Sequence, residues 1–424
     1  MPRKANHLMP WIVCISCGLF FFYEFIQMNM INSLSADLLR TFHVGSNKLG
    51  FLIGSYFNAN LIFLLPAALI LDRFSTKKVI LITLGICIVG TALFAGSHSI
   101  HWASIFRFFT GIGSAFCWLS CIRLASVWFY DKPLALIAGL LMTMAFLGGS
   151  VAQAPMTLLV HHFGWRGAVY IDAALGVVIF FIILLIVKDY PDHLSELKEK
   201  RKQQLKNIGF WQSIRHAYLN WQNWFSGICA NFTNLPTFIL GTSLGNLFLV
   251  QAHAFSFTQS ATISGMIFIG TLIGTPFFGW LSDRIANRKI PIFIGTLLAF
   301  LIVLAVIYLP HVSYGTMIIL FLLLGFTTSA GILNYAFTAE KNPQTITATS
   351  VSVVSVNVIG IGGSVLIPFV GWLLSLSWNG TRVNHVPFYS LHNYHTAFLI
   401  LPIGLIISML LVFLMKESHA RQLD

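Results

Sequence analysis

The chain has 424 residues, of which 57% are apolar and only 9% are Asp, Glu, Lys or Arg, whereas an ordinary soluble domain is about 25% charged. That balance excludes a soluble globular protein. The formal charge of +12 is not read as a nucleic-acid partner, because the basic residues are segregated between alternate loops.

Twelve apolar runs follow one another, at about 10 to 33, 48 to 71, 79 to 97, 102 to 128, 134 to 159, 167 to 187, 222 to 250, 259 to 282, 290 to 309, 315 to 338, 346 to 376 and 395 to 415. Each approaches the roughly 20 residues that a helix needs to cross a bilayer core. The expected fold is therefore an all-α integral membrane protein with 12 transmembrane helices embedded in the lipid bilayer.

Span 1 is too long for a signal peptide and lacks a small-residue cleavage site, so it is expected to remain in place. It carries Tyr23 and Glu24 in "FFFYEF". An acid in mid-membrane is costly and by default faces a cavity or a partner and carries function. Glu24 is the candidate for proton coupling; a structural bond to a neighbouring span is the alternative.

Between spans 2 and 3, "LDRFSTKKV" puts Asp72, Arg73, Lys77 and Lys78 between uncharged runs. Span 4 holds Arg107 and Arg123. Sixteen residues apart on a regular helix, they lie about 24 Å apart along the axis and about 160° apart around it, so they cannot line one pocket. Arg107, a base within the membrane, is read as a structural tie or as the coupling partner of Glu24. Arg123 lies near the inner end, where it could snorkel to the headgroups.

Span 5 contains "GGSV" at 148 to 151, with Pro155 after it. Residues 188 to 210 form the one long charged segment, read as a solvated cytoplasmic linker. The expected organisation is a bundle at 1–187, a linker at 188–215 and a second bundle at 216–424. The second half supplies buried amides at Asn231 and Asn234 in span 7, Asn334 beside Tyr335 in span 10, and Asn357 in span 11. Each is equally well explained by bonding across helices. Glu340 lies near the inner end of span 10.

The chain repeats itself. "LSDRIANRK" matches the first loop, so that Asp283, Arg284, Arg288 and Lys289 stand 211 positions after Asp72, Arg73, Lys77 and Lys78. "GGSV" returns 214 positions later at 362 to 365, followed by Pro368. Two markers in the same order imply duplication of a six-span unit. An insertion at 377 to 393 carries the Asn379-Gly380 turn signal; with Thr381 it also fits a glycosylation sequon, relevant only in a secretory-pathway host.

Nineteen of the 25 basic residues fall in the tails and alternate loops on one side. Arg40, Lys48, Arg166 and Arg382 lie on the other, and Arg107 and Arg123 lie within a span. The positive-inside rule then puts both termini in the cytoplasm.

Other signals carry little. All six cysteines lie in apolar runs and read as reduced packing residues. "GTSLG" at 241 to 245 imitates a hydrolase nucleophile motif but sits mid-span, without the strand–turn–helix context. His392 and His395 lack a third metal ligand, and no ATP-binding loop is present. No catalytic residue, metal or cofactor is expected.

The repeated Asp-Arg-x-x-x-basic-basic loop in a 6+6 chain resembles the signature loop of the major facilitator superfamily. Gly279, Leu281, Asp283, Arg284 and Lys289 keep that pattern; the first copy departs from it at Ala68 and Ser75, where the family has glycines. In "RFFTGIGSA", Arg107, Gly111 and Gly113 resemble its second motif. "FFFYEF", "IRLASVWF", "FGWR", "GGSVLIPFVGWLL" and "SWNG" resemble a narrower branch, the proteobacterial phagosomal nutrient transporters and related organic-solute carriers, with Arg123 where lysine is expected.

The resemblance implies a major facilitator fold of two six-helix bundles. It also implies a cytoplasmic gate of Asp72, Arg73, Lys77, Asp283, Arg284, Arg288 and Lys289, whose aspartates cap neighbouring helices, and a carboxylate-binding role for Arg123.

The function expected is that of a monomeric secondary transporter in a bacterial inner membrane. It would import a small polar solute such as an amino acid, short peptide or related carboxylated metabolite, with protons. Tyr23, Glu24, Arg123, Asn231, Asn334, Tyr335 and Asn357 are the expected substrate contacts, and Glu24 with Arg107 the coupling pair. Export of a drug or siderophore-like compound is the alternative, although span 5 lacks the Gly-Pro pair of superfamily antiporters. A receptor that binds without translocating is the other.

Overall fold

The computed structural model describes residues 8–129, 134–190, 210–309, 312–342, 347–376, 378–383 and 386–418. The first half consists of α1 (Met9–Phe42), α2 (Ser46–Arg73), α3 (Thr76–Ala95), α4 (Ile100–Trp128), α5 (Leu134–Val151) and α6 (Ala154–Ile186). The second opens with the short α7 (Phe210–Leu219), which begins within the expected linker and runs past its expected end at 215, and continues through α8 (Trp221–Pro236), α9 (Gly245–His253), α10 (Phe257–Arg284), α11 (Lys289–Tyr308) and α12 (Tyr314–Thr328). It closes with α13 (Leu333–Glu340), α14 (Thr347–Ser355), α15 (Ile367–Leu376), α16 (Leu391–Phe398) and α17 (Ile400–Leu414).

Among the described residues nine helices are long and apolar enough to cross a membrane, or ten if the bent pair Trp221–Ser243 and Gly245–His253 is one span. One of these nine, Gly139–Ile186, runs to 48 residues. It contains Gly164 at φ 68°, ψ 165°, a conformation open to glycine but not to an L-residue without strain. That break separates spans 5 and 6. With α2, 28 residues long, the described residues hold the twelve expected rods, and the fold is all-α and membrane-embedded.

Side chains set the helix ends. Ser256 and Ser390 each form a capping box, with Gln259 and Asn393, and Ser75, Ser99 and Ser313 accept from the backbone N–H three residues on. Broad apolar faces look outward, as at Val178, Phe181 and Leu185 on α6 and Ile403, Leu410 and Phe413 on α17. With lipid as the solvent such faces are satisfied. A two-stranded ribbon, Arg382–Val383 against Val386–Pro387, occupies the insertion, and Gly380, just before its first strand, adopts φ 87°.

Three spans of the second half are broken. In span 7, Pro236 leads into a π-helical turn at Thr237–Ser243, and α9 then departs at 74°. Span 10 passes through a 3₁₀ turn at Ser329–Ile332, and span 11 is π-helical over Val356–Leu366. Such turns free backbone carbonyls and recur at functional places.

The halves meet at the end opposite the Asp283 loop. The Ser46 N–H donates to the Tyr389 hydroxyl at 2.9 Å, and the Ser46 hydroxyl donates to the Gly371 carbonyl at 2.8 Å. Lower down, Phe57 packs against Gly363 and Leu61 against Gly360. One apolar core crosses from half to half at this level, while separate cores fill the basic ends of each half.

Candidate functional site

A polar core lies inside the first half, enclosed by spans 1, 2, 3, 4 and 6. Glu24 is 2% exposed, Arg107 1% and Asp172 3%. The Tyr56 hydroxyl donates to Glu24 Oε2 at 3.2 Å, and Glu24 Oε1 has no hydrogen-bond partner among the described residues. Arg107 Nη2 donates to the Gln27 carbonyl at 2.8 Å, so Arg107 reaches span 1, while its Nε and Nη1 have no partner among the described residues. The guanidinium lies 4.8 Å from the Tyr56 ring centroid, close enough for a cation–π contact. Gln27 links the rest: its Nε2 donates to Asp172 Oδ2, and its Oε1 accepts from the Thr91 hydroxyl at 3.0 Å.

Two glycines of span 4 make this proximity possible. A Cβ on Gly111 would meet the Tyr56 carbonyl oxygen at 2.2 Å, and one on Gly113 would meet Glu24 Oε1 at 2.2 Å. Tyr23 also points into the first half, buried against Gly176 of span 6.

A second polar zone joins the halves. Asn32 Nδ2 donates to the Gly241 carbonyl at 2.9 Å and to Gln153 Oε1 at 3.0 Å, and the Asn246 N–H donates to Asn32 Oδ1 at 3.0 Å. Gln153 Nε2 donates to the same Gly241 carbonyl at 2.9 Å, and the Thr242 hydroxyl donates to Asn29 Oδ1 at 2.7 Å. The π-helical turn of span 7 thus presents carbonyls to amides from spans 1 and 5, and Asn32 caps the first turn of α9 from the other half.

The amides of the second half sit among spans 7, 10 and 11. Asn357 Nδ2 donates to the Val353 carbonyl at 2.8 Å and packs over Gly227, while Asn231, fully buried against Gly362, has no partner for either side-chain group among the described residues. The Asn334 carbonyl accepts from the Ser226 hydroxyl at 2.9 Å. Tyr335 and Arg123 are half-buried. The structure therefore brings Tyr23, Glu24 and Arg107 together in one half and Asn231 and Asn357 together in the other.

At the basic end the side chains of Asp72 and Arg73 lie outside the described residues. The second copy is ordered within its own half: Arg288 donates to Asp283 Oδ1 from Nη1 at 2.6 Å and to Glu340 Oε1 from Nη2 at 2.6 Å. Burial alone would lower the pKa of Arg288, but these two carboxylates outweigh it and hold the guanidinium above its ordinary value. Asp283 is 69% exposed and engages Arg288; the carboxylate that caps α11 is Glu417, accepting from the Arg288 and Lys289 N–H groups at 2.9 and 3.0 Å. Arg284 lies over the Trp280 ring.

The first half repeats this device. Asp189 accepts from the Lys77 N–H at 2.7 Å and from the Ser75 hydroxyl at the start of α3. In both halves a lysine returns the contact: Lys77 Nζ donates to the Leu184 carbonyl at 2.7 Å and Lys289 Nζ to the Phe413 carbonyl at 3.3 Å.

Sequence reading missed Gln27, Tyr56, Thr91 and Asp172, the seam around Asn32, and the caps Asp189 and Glu417. Asp172 alone had a plain signal, as an acid within the sixth apolar run.

These features define a multi-pass membrane protein of two six-span halves with a polar core. The Major Facilitator Superfamily model matches residues 17–363 and 227–423, and the chain belongs to that family, one of transporters rather than enzymes. It is 24% identical over 296 residues to the probable sulfoacetate transporter SauU of Cupriavidus necator, a match covering 67% of this chain and 66% of that protein. It is 21% identical to the niacin transporter NiaP of Acinetobacter baylyi, covering 99% and 96%. It is 26% identical to the multidrug resistance protein Stp of Mycobacterium tuberculosis, but over 42% of this chain and only 33% of that protein. In fold it is similar to a bacterial homologue of the lysosomal transporter Spinster, with a TM-score of 0.80, 18% identity and 98% of each chain covered.

Proposed function

We propose that this chain is a proton-coupled secondary transporter that imports a small carboxylated solute by alternating access. The observation that supports it best is the acid–base core, Glu24 beside Arg107, buried within one of two halves that meet at one end. An ionisable pair at this depth is expensive and is retained where it works. Glu24 with Arg107 is the coupling pair, acting from within the first half. Arg123, Asn231, Asn334, Tyr335 and Asn357 are the candidate solute contacts.

The halves, 1–187 and 216–424, rock about the amide seam, with the Asp72 and Asp283 loops on the cytoplasmic side of a bacterial inner membrane. With the opposite end joined, the conformation described is inward-facing. Sulfoacetate and niacin, carried by two of the relatives, are both organic acids, which favours an anionic solute that a basic side chain can hold.

In proteoliposomes, sulfoacetate, nicotinate, amino acids and dipeptides are offered under an imposed pH gradient. Accumulation of at least one acid, abolished by collapsing the gradient, is expected; accumulation that ignores the gradient would refute proton coupling. Single cysteines at His98 and His216 should label from opposite faces of cells, with His216 inside. Export is the second reading, favoured by the partial match to Stp, and predicts solute flux opposite in direction to proton flux.

A further inference from the structure

The polar core of the first half contains one more carboxylate than it has cations. Among the described residues, the titratable groups facing it are Tyr23 and Glu24 from span 1, Tyr56 from span 2, Cys87 from span 3, Arg107 from span 4 and Asp172 from span 6. With both acids ionised and Arg107 charged, the cluster would carry a net charge of −1 where nothing is more than 3% exposed. An uncompensated charge in such a place is neutralised, usually by a proton.

The hydrogen bonds leave several polar atoms of the cluster unpaired among the described residues. Gln27 bridges it, accepting from Arg107 at its carbonyl and donating to Asp172 from its side chain. Arg107 uses Nη2 for that contact, and its Nε and Nη1 are unpartnered, as is Glu24 Oε1. The guanidinium thus has two free donors in a closed space beside two acids, and Tyr56 links ring and carboxylate by lying near Arg107 and bonding Glu24.

We propose that Glu24 and Asp172 form a single proton site with Arg107. The site holds one proton, carried by whichever carboxyl Arg107 does not neutralise, and Asp172 is the second proton-carrying residue. Loading forms one O–H bond on that carboxyl from an incoming hydronium; unloading returns the proton to water and leaves Arg107 between two carboxylates. As a coupling device this rests on the proton-driven reading above, but the site itself does not depend on it.

Infrared difference spectroscopy of the purified full-length protein tests the site directly, through the C=O stretch of a protonated carboxyl. The wild type is expected to show the equivalent of one such group at neutral pH. Asp172→Asn and Glu24→Gln should each lose it, because the remaining carboxylate then balances Arg107. Asp172→Glu keeps the charge count and should retain the band, which covers the case in which the asparagine variant fails to fold. Persistence of the band in either neutralised variant would overturn the proposal, as would its removal by sodium at constant pH. Accumulation driven by a pH gradient should fall at least tenfold in both neutralised variants. If the wild type shows no such accumulation but the bands behave as stated, the site stands and the coupling reading fails.

Discussion

Asn32→Ala tests what holds the two halves together. Asn32 makes its two short bonds across the seam from Nδ2 to the Gly241 carbonyl and from the Asn246 N–H to its Oδ1, at 2.9 and 3.0 Å, with two longer contacts of 3.5 Å beside them. A typical hydrogen bond is worth about 0.5 to 1.5 kcal/mol net, and a buried donor left unpaired costs about 1 to 3 kcal/mol. The Gly241 carbonyl keeps its bond from Gln153, whereas the Asn246 N–H loses its partner at the start of α9. The loss is therefore roughly 1.5 to 3 kcal/mol. It falls on the joined state only, since water reaches these groups once the halves part there. At 1.4 kcal/mol per factor of ten, the joined state should lose about tenfold to a hundredfold in relative population. Labels at His98 and Thr258, both exposed at that end of different halves, report this as a distance distribution that shifts to longer values. Ser313→Ala, which removes a helix cap at the same end without touching the seam, is the control. A wild-type distribution in Asn32→Ala would refute the claim that these amides hold that end shut.

The basic-end caps should behave as independent devices. Glu417→Ala and Asp189→Ala each remove a carboxylate from a helix start, costing about 1 to 2 kcal/mol; thermal melts should show losses that add in the double variant, because the two sites lie in different halves. On span 4, Gly111→Ala should reduce folded yield more than Gly113→Ala. The first drives a methyl into the Tyr56 backbone, while the second meets the Glu24 side chain, which can turn aside at a cost of about 1 to 3 kcal/mol; gel filtration and melting of both variants measure the difference.

Much of the fold was legible because lipid makes the rules simple. An apolar run of the right length must be a helix, so the twelve runs, the loops between them and the Asn379-Gly380 turn follow from the sequence. The break between spans 5 and 6 falls at Gly164, between the expected ends at 159 and 167. The kinks were not legible, because a π turn leaves hydropathy unchanged. "GTSLG", dismissed as a false hydrolase motif, overlaps the end of the π turn of span 7, where Gly241 offers its carbonyl to the seam. Glu24 and Arg107 were found as charges out of place. The core around them was not, because Gln27, Tyr56 and Thr91 are ordinary residues in their own spans. Only the packing of five spans makes them neighbours.

The charged loops that first suggested a repeat also brace each half. At the basic end Asp189 and Lys77 tie span 3 to the end of span 6, and Glu417 and Lys289 tie span 9 to the end of span 12. Arg288 adds span 10 through Glu340. In this conformation those charges are spent inside each half, where they stiffen it, while the seam between halves uses neutral amides and backbone carbonyls. Charge-assisted bonds are roughly twice as strong as neutral ones. The basic end of each half is thus braced by the stronger kind of bond, whereas the polar seam between the halves, set within the apolar core they share, is made of the weaker kind.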